Sequence, residues 1–393
     1  MISVDEARAI VRARASPLPG AERLPLSRAV GRVLLGPVLA DRDDPPFERS
    51  MMDGYALRSA DTKGAPCALR VTGAVAAGDA RLPTVGPGEA VWINTGAPLP
   101  PGADAVVPVE MTRGRVEILV RAEPGAHLLA RGALARKGER LVEGLLTPEA
   151  VGICAAAGAD PVDVRPRPKV AVLATGSELD RAPGPHQIRN SNGPTLVALL
   201  HSHEVTDLGA VADDPAATRR AVRRGLESDL LVTTGGVSTG DLDLVRPALE
   251  EAGVEILFHV VALQPGKPVL FGEHAGGRVF GLPGNPASSL VCADLFVLPY
   301  LAALGGRGFD EVLPEVRARV TGPVEASPKR RRVFPCALSG GRVEPLPWRS
   351  SADLYSLARG NAYLVIEPGV SLAAGDEVTC LLPERAAART FGG

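Results

Sequence analysis

Four glycine-rich loops, each placed where a predicted strand ends, hold the residues best suited to chemistry. Their sequences are "ATGSEL" (174–179), "TTGGVSTGD" (233–241), "QPGKP" (264–268) and "GLPGNPASS" (281–289). Glycine permits positive φ angles and a close approach of the backbone to a ligand. The last loop runs into a predicted helix, whose unpaired N–H groups favour an anion. One such loop is ordinary in an α/β fold, but four together favour a phosphate pocket.

Charged side chains within these loops extend the same prediction. Lys267 is a mobile point charge suited to phosphate. Glu178, Asp241 and Asp243 supply carboxylates, and carboxylates beside phosphate commonly hold Mg²⁺. The loops match neither usual nucleotide motif, because Asp241 stands where a P-loop needs lysine and no G-x-G-x-x-G is present. The residues therefore predict one wall of a phosphate and magnesium pocket.

Two further acidic positions have simple local explanations. Asp213 and Asp214 precede Pro215, which is how a capped helix commonly begins. Asp53 precedes Gly54, and an aspartate in a turn is the usual explanation of that pair. A carboxylate presented to a ligand is the functional alternative for Asp53.

The elements that must position the loops alternate between strand and helix over residues 166–306. This alternation, without hairpin signals, predicts a doubly wound α/β domain of mostly parallel strands. "VEILFHVVAL" (254–263) is predicted as one of its strands. Ligands of such sheets lie beyond the carboxyl ends of the strands, where these loops fall. The fold class expected is therefore α/β plus β.

The flanking segments are rich in short strands. Residues 59–125 contain β-like runs broken by glycine and proline, and residues 314–393 return to that style. The second stretch predicts a small β-barrel or sandwich. Helices are predicted to begin at Ser3, with Glu6 at capping-box spacing, and at Thr147, which precedes a proline.

Composition excludes several classes of function. The chain has 393 residues, 45% of them apolar, a net charge of −2 and 4% aromatic residues; nucleic-acid binding is therefore disfavoured. Five scattered cysteines without a C-x-x-C pair disfavour a disulfide framework and fit the cytoplasm. The most apolar run, 287–304, is interrupted by Asp294 and Pro299, so no membrane span is predicted.

Six motifs in fixed order resemble the molybdopterin molybdenumtransferase family, the MoeA and gephyrin E-domain proteins. They are "DDPPFERSMMDGYALR", "INTGAPLPPGADAVV", "LATGSEL", "TTGGVSTGDLD", "QPGKP" and "GLPGNPASS". The resemblance covers essentially the whole chain. It implies that the phosphoanhydride of adenylated molybdopterin is hydrolysed, that AMP leaves, and that molybdate is transferred to the dithiolene sulfurs with Mg²⁺ present.

The resemblance also implies a multidomain architecture and partners. It implies a discontinuous N-terminal domain (1–40 and 130–165), an inserted β-rich domain (41–129), an α/β molybdopterin-binding domain (166–306) and a C-terminal β-domain (314–393). It further implies a cytoplasmic homodimer with sites in the cleft between subunits. A molybdopterin-adenylating protein is the expected supplier of substrate.

Site residues carried over from the resemblance, together with the loop residues above, form three groups. The catalytic residues expected are Asp53, Glu178 and Lys267. The expected substrate contacts are Thr95, Gly235, Gly236, Ser238, Pro283, Gly284, Asn285 and Arg331. The expected magnesium ligands are Asp213, Asp241 and Asp243.

Four positions depart from the usual family pattern. Leu134 replaces an acid, Val260 and Gln264 replace lysines, and Cys336 replaces an arginine. Val260 and Gln264 are expected to face the same side of an extended segment that leads to Lys267. Two alternatives stay open: a molybdopterin-binding carrier or scaffold, and a generic magnesium-dependent nucleotide hydrolase.

Overall fold

A computed structural model describes residues 1–114, 117–237 and 244–385. Its contacts group the chain into two units. One unit is Arg23–Val164, and the other joins Met1–Glu22 to the chain from Arg165 onward. The four predicted domain boundaries stay predictions beside this coarser division.

The α-helices within the described ranges are α1 (Val4–Ala13), α2 (Pro148–Ala156), α3 (Asn192–Leu199), α4 (Pro215–Gly225), α5 (Val245–Glu251), α6 (Pro286–Cys292), α7 (Leu298–Leu304) and α8 (Leu354–Arg359). A π-helical turn, Ala293–Val297, joins α6 to α7.

The strands of the first 164 residues are β1 (Glu22–Leu24), β2 (Val38–Leu39), β3 (Arg49–Ser50), β4 (Gly54–Leu57), β5 (Cys67–Ala68), β6 (Arg70–Val75), β7 (Glu89–Ile93), β8 (Ala105–Pro108), β9 (Thr112–Arg113), β10 (Glu117–Ile118), β11 (Leu128–Leu129), β12 (Arg140–Val142) and β13 (Val162–Val164). Those that follow are β14 (Lys169–Thr175), β15 (Glu204–Val211), β16 (Leu230–Thr234), β17 (Glu255–Phe258), β18 (Leu263–Gln264), β19 (Leu270–His274), β20 (Gly277–Leu282), β21 (Glu315–Val320), β22 (Arg331–Ser339), β23 (Arg342–Pro345), β24 (Ala362–Ile366) and β25 (Glu377–Leu381).

Helix starts follow the capping signals in the sequence. Ser3 Oγ accepts the Glu6 N–H at 3.1 Å, and Glu6 Oε2 accepts the Ser3 N–H at 2.7 Å, which confirms the capping box. Thr147 caps α2 through the Ala150 N–H, with proline at the first helical position. These reciprocal bonds pair N–H groups that the first turn of a helix otherwise leaves unpaired.

The α/β sheet has the order β15-β14-β16-β20-β19-β17 and is mostly parallel, as predicted. Its central strands β14 and β16 are apolar and buried on both faces because helices cover both. Val170 and Val172 pack on one core cluster, with α1 and α6, and the alternate residues Ala171 and Leu173 pack on another, with α4 and α5. The doubly wound fold class is confirmed.

Two details of this sheet differ from the sequence prediction. Strands β19 and β20 form an antiparallel hairpin, although no hairpin was expected. Ala275 and Gly276 form its two-residue turn, between the paired residues His274 and Gly277. The strand predicted over 254–263 ends at Phe258, because the chain then turns to bond the N-terminus. The Val260 carbonyl accepts the Ile2 N–H at 3.1 Å. The expectation that Val260 and Gln264 share one strand face is therefore wrong.

The C-terminal region forms a closed barrel of five strands in the order β22-β23-β21-β25-β24, closed by the β22–β24 pairing. This resolves the choice between barrel and sandwich. The short strand β18 pairs with β22 outside the closed ring. Gln264, the first residue of the "QPGKP" loop, is therefore attached to the barrel.

The unit Arg23–Val164 contains a four-stranded sheet in the order β6-β7-β4-β8. Its central strand β4 pairs with β7 and β8 on either side. All four residues of β4 are buried, so the turn before Gly54 is anchored to a rigid strand.

One helical run, Pro286–Leu304, has the length and apolar composition of a membrane span. Its apolar window is 89% buried inside the protein. Asp294, on the π-helical turn, is buried and bonds the Tyr363 hydroxyl at 2.6 Å. The run is the central core helix of its unit.

Stability is expected to fall as the pH drops from about 6.5 to about 4, because of His203. Burial, together with repulsion from Arg167, His201 and Arg307, lowers the pKa of His203 from 6.5 to about 4. Between pH 6.5 and about 4, the unfolded chain therefore binds a proton at His203 that the folded chain does not bind. No stability is lost to this group above pH 6.5, and the loss grows to about 2–3 kcal/mol by pH 4.

The measurement is the free energy of unfolding of His203→Gln against wild type at several pH values. The variant should flatten the pH dependence between 4 and 6.5. His201→Gln, at an exposed neighbour, should keep most of it. Identical pH slopes in wild type and His203→Gln would contradict the assignment.

Candidate functional site

Three of the predicted loops meet at the carboxyl edge of the α/β sheet. Strands β14, β16 and β20 are adjacent and in register, with Ala174 opposite Thr234 and Thr234 opposite Leu282. A Cβ placed on Gly284 would lie 3.6 Å from the Gly235 Cα, so the second and fourth loops touch. The prediction that parallel strands would gather these loops at one edge is therefore met by the geometry.

The two glycines that begin the second loop are required by their surroundings. Gly235 has φ +86°, and a Cβ there would lie closer than 3.0 Å to the Thr175 carbonyl oxygen. Gly236 has φ +59°, and its Cβ would lie 2.8 Å from both Thr175 Oγ1 and Val245 Cγ2. The bare backbone therefore packs directly on the end of β14. Ser238, Asp241 and Asp243, predicted in the same loop, lie outside the described residues.

A side chain that the sequence analysis missed joins these loops. Asn192 Nδ2 donates to Thr234 Oγ1 and to the Gly284 carbonyl, both at 2.8 Å. Thr234 in turn donates to the Pro283 carbonyl at 3.0 Å. The signal was present in "NSNGP" as an asparagine at a helix start, but that pattern usually indicates a local cap.

Three buried polar atoms at this edge have no partner within the described ranges: Thr175 Oγ1, Asn192 Oδ1 and Thr233 Oγ1. Buried polar groups are otherwise nearly always paired, by protein or by water. Unpaired polar atoms at the carboxyl end of the sheet favour a polar ligand there.

The two acids before α4 have different roles. Asp214 is the helix cap, since its carboxylate accepts the Ala217 N–H at 2.6 Å. Asp213 instead pairs with the first loop. Its carboxylate accepts the Ser177 N–H at 3.0 Å, and its own N–H donates to Ser177 Oγ at 2.9 Å. Asp213 thus lies beside Glu178, whose exposed carboxylate folds back over Gly176.

The start of α6 is covered by Ser351, which lies in the loop after β23 of the barrel. The Ser288 N–H donates to the Ser351 carbonyl at 3.2 Å, and Asn285 Nδ2 donates to Ser351 Oγ at 2.8 Å. Pro286 has no N–H to offer. Asn285 therefore contacts the barrel loop rather than capping its helix, and fewer N–H groups remain for an anion than the sequence suggested.

Two predicted cations have contrasting surroundings. Lys267 is exposed, and its ammonium makes no ion pair with any described side chain. Arg331 is paired instead, with bonds to both Asp5 oxygens at 2.7 and 2.8 Å and to Glu367. The Arg331 guanidinium lowers the pKa of Asp5. Arg331 lines a 580 Å³ cavity that also contains Arg8. Lys267 is therefore the freer of the two positive charges.

Asp53 and Thr95, predicted separately, are directly bonded. Asp53 Oδ1 accepts the Thr95 N–H at 2.7 Å and the Thr95 hydroxyl at 3.1 Å. Both bonds lower the pKa of Asp53, and the bond from the Thr95 N–H is the larger cause. Gly54 is required here because a Cβ would overlap the Val107 carbonyl. The bonds to Thr95 thus orient this carboxylate and favour its charged form.

Two of the departures from the family pattern are also placed. Leu134 is 59% exposed and lines a 350 Å³ cavity with Arg42 and Glu139. Cys336 is fully buried in the barrel. A hydrogen bond with Cys380, and then burial, raises the pKa of the Cys336 thiol. The Cys336 side chain is therefore part of the barrel core.

Family models match three successive parts of the chain. They are the MoeA N-terminal region (domain I and II) over residues 2–158, a probable molybdopterin binding domain over 171–303, and the MoeA C-terminal region (domain IV) over 317–382. The second match contains all four glycine-rich loops, including Lys267, and also Asn192.

Whole-length relatives support the same assignment. Molybdopterin molybdenumtransferase 2 of Mycobacterium tuberculosis is 38% identical, over 90% of this chain and 93% of its own. The molybdopterin molybdenumtransferase of Nostoc sp. is 33% identical, over 92% of this chain and 88% of its own. The molybdopterin biosynthesis moeA protein from Pyrococcus horikoshii OT3 superposes with a TM-score of 0.84 and 29% identity, covering 97% of this chain and all of the other. The chain therefore belongs to the MoeA family of molybdopterin molybdenumtransferases.

Proposed function

We propose that this protein transfers molybdate to adenylated molybdopterin with release of AMP, as a step of molybdenum cofactor biosynthesis. The observation that carries the proposal is the meeting of three glycine-rich loops at one edge of the α/β sheet, inside the region matched by a molybdopterin binding domain. Relatives named molybdopterin molybdenumtransferase align with nearly the whole chain.

In this proposal, water cleaves the phosphoanhydride, AMP leaves, and the dithiolene sulfurs receive the molybdenum. The loop backbone and Lys267 would hold the anionic substrate, since glycines allow close approach and the ammonium is unpaired among the described residues. Asp53 would act as an ionised carboxylate, as a base or a cation ligand, because its bonds to Thr95 favour the charged form. Glu178, beside Asp213, is proposed as a second catalytic carboxylate.

Molybdate-dependent release of AMP from adenylated molybdopterin tests the proposal. A transferase couples AMP release to molybdate. A carrier releases none, and a nucleotide hydrolase releases AMP with or without molybdate. The carrier is the second candidate, because Val260 and Gln264 lack charge and Arg331 is already neutralised by Asp5 and Glu367. Release that is absent, or that ignores molybdate, would remove the transferase assignment.

We also propose Mg²⁺ as the cation that accompanies the substrate phosphates, with Asp213, Asp241 and Asp243 as protein ligands. Within residues 1–114, 117–237 and 244–385, no three His, Cys, Asp or Glu side chains form a metal-binding group. Asp213 fits such a role in part, since the Ser177 N–H occupies one carboxylate oxygen and the other is left for a cation. Removal of Mg²⁺ by EDTA should abolish AMP release, and added Mg²⁺ should restore it. Undiminished release in EDTA would exclude the requirement.

A homodimer is proposed as the working assembly. Large apolar side chains are exposed in the segment that leads to Asp53: Phe47 at 43%, Met51 at 54% and Met52 at 37%. Such clusters commonly mark protein interfaces. Light scattering at micromolar concentration should give twice the chain mass of 40.7 kDa. The single-chain mass would contradict the dimer. A cytoplasmic location and delivery of substrate by an adenylating protein complete the proposal.

A further inference from the structure

We infer that Asn192 is a positioning residue that fixes two loops of the candidate site, an inference that rests on the proposed function. Asn192 begins α3, and its carboxamide nitrogen has two hydrogens. One is donated to Thr234 Oγ1 and the other to the Gly284 carbonyl, each at 2.8 Å. Thr234 directly precedes Gly235, and Gly284 belongs to the loop after β20. One side chain thus joins the loops on two adjacent strands.

The direction of these bonds is fixed. A hydroxyl has a single hydrogen, and Thr234 uses it toward the Pro283 carbonyl at 3.0 Å. Thr234 must therefore accept from Asn192. A flipped carboxamide would place its oxygen against the Gly284 carbonyl, with no hydrogen between the two acceptors. The chain of donors runs from Asn192 through Thr234 to Pro283, so both ends of the fourth loop's Pro-Gly pair are held by one network.

Asn192 is not needed to start its own helix. The position before it, Ser191, makes no side-chain cap. The first turn is instead supported by Asn190, whose carboxamide oxygen accepts the Gly193 N–H at 2.9 Å. The Asn192 side chain extends away from that turn to the loops, so its role lies there rather than in helix formation.

The free end of the same carboxamide points to substrate binding. Asn192 Oδ1 is buried and unpaired within the described ranges, as is Thr175 Oγ1 at the end of β14. A buried acceptor without a donor is unfavourable, so stability alone does not explain this side chain. The pterin ring of molybdopterin carries N–H donors that such an oxygen accepts. The inferred role is to hold the loops and leave one acceptor for the ligand.

The test compares molybdopterin binding by Asn192→Ala, Thr234→Val and the double variant with that of the full-length wild type. Each single substitution should raise the Kd by about tenfold or more, since it removes two buried hydrogen bonds and leaves their partner groups unpaired. If Asn192 and Thr234 act through the contact between them, the Kd of the double variant should be at most about threefold higher than that of the weaker-binding single variant. Thr234→Ser, which keeps the hydroxyl, should restore binding close to wild type.

Asn190→Ala is the matched control, because it removes a carboxamide two positions away whose only bond to a described residue, the Gly193 N–H, lies within its own turn. It should lower the melting temperature without changing the Kd. A folded Asn192→Ala protein with wild-type Kd would overturn the inference and leave the proposed function standing. Independent, fully additive losses in the double variant would also overturn the shared contact. A wild-type chain that fails to bind molybdopterin would overturn both proposals together.

Discussion

Replacing Asp53 by asparagine is expected to lower the rate of molybdate-dependent AMP release by about a hundredfold or more. The change removes the negative charge and leaves the shape of the side chain nearly unaltered. Asparagine keeps an oxygen that can accept the Thr95 N–H, as Asp53 Oδ1 does at 2.7 Å. The fold should therefore be preserved, while a base or cation ligand is lost.

The structure makes this expectation stronger than the sequence did. An aspartate before glycine is most often a turn residue. Asp53, however, accepts both the backbone and the hydroxyl of Thr95, and these bonds lower its pKa. It remains exposed, so the oriented carboxylate is accessible. Ionisation near neutral pH excludes a role as proton donor and leaves the roles of base and ligand.

Asp79→Asn is a suitable control in the same unit. Asp79 is an exposed turn aspartate, and among the described residues its carboxylate bonds only the Ala76 N–H, at 2.7 Å. Its variant should turn over at the wild-type rate. The measurements are AMP release with saturating molybdate and a circular dichroism melt for each variant. A folded Asp53→Asn protein with wild-type turnover would return Asp53 to a simple turn role.

What the sequence predicted well depended on local chemistry and on one rule of topology. Capping signals placed the starts of α1 and α2, because each involves residues three positions apart. The convergence of "ATGSEL", "TTGGVSTGD" and "GLPGNPASS" followed from parallel strands, whose carboxyl ends share an edge. Neither inference required knowledge of distant contacts.

What the sequence did not predict depended on contacts between residues far apart in the chain. Ser351, from the barrel region, occupies a helix-start N–H that the local pattern left open for an anion. Arg331 is matched by Asp5 near the other end of the chain, which no spacing rule anticipates. Asn192 stands at the start of α3, where an asparagine commonly caps its own helix, whereas its side-chain bonds lead to loops on two other strands. Pairing of this kind is decided by tertiary packing.

Substituting Gly235 by alanine is expected to lower the free energy of unfolding by about 2–4 kcal/mol and to abolish molybdopterin binding. Gly235 has φ +86°, a conformation that side chains other than glycine rarely adopt. A Cβ there would also overlap the Thr175 carbonyl oxygen, which belongs to the strand backbone and cannot rotate away. The Gly235 N–H bonds the Leu282 carbonyl at 3.1 Å, so relief of the overlap would break a contact to the next strand.

Two further glycines separate the causes of this loss. Gly253 has nearly the same angle, φ +85°, with nothing within 4 Å of a built Cβ, so Gly253→Ala carries the conformational strain alone, about 1 kcal/mol. Gly284 faces the same site, and its built Cβ meets only the Gly235 Cα at 3.6 Å, an ordinary contact. The free energy of unfolding of Gly284→Ala should therefore lie within about 1 kcal/mol of the wild-type value.

Chemical denaturation of the three variants gives the comparison directly. The excess loss of Gly235→Ala over Gly253→Ala measures the collision with the end of β14, because the angle is common to both. A loss in Gly235→Ala no larger than that in Gly253→Ala would mean that the loop can move off Thr175 freely. The second loop would then be adjustable, and the rigid edge formed by β14, β16 and β20 could not be what presents the substrate.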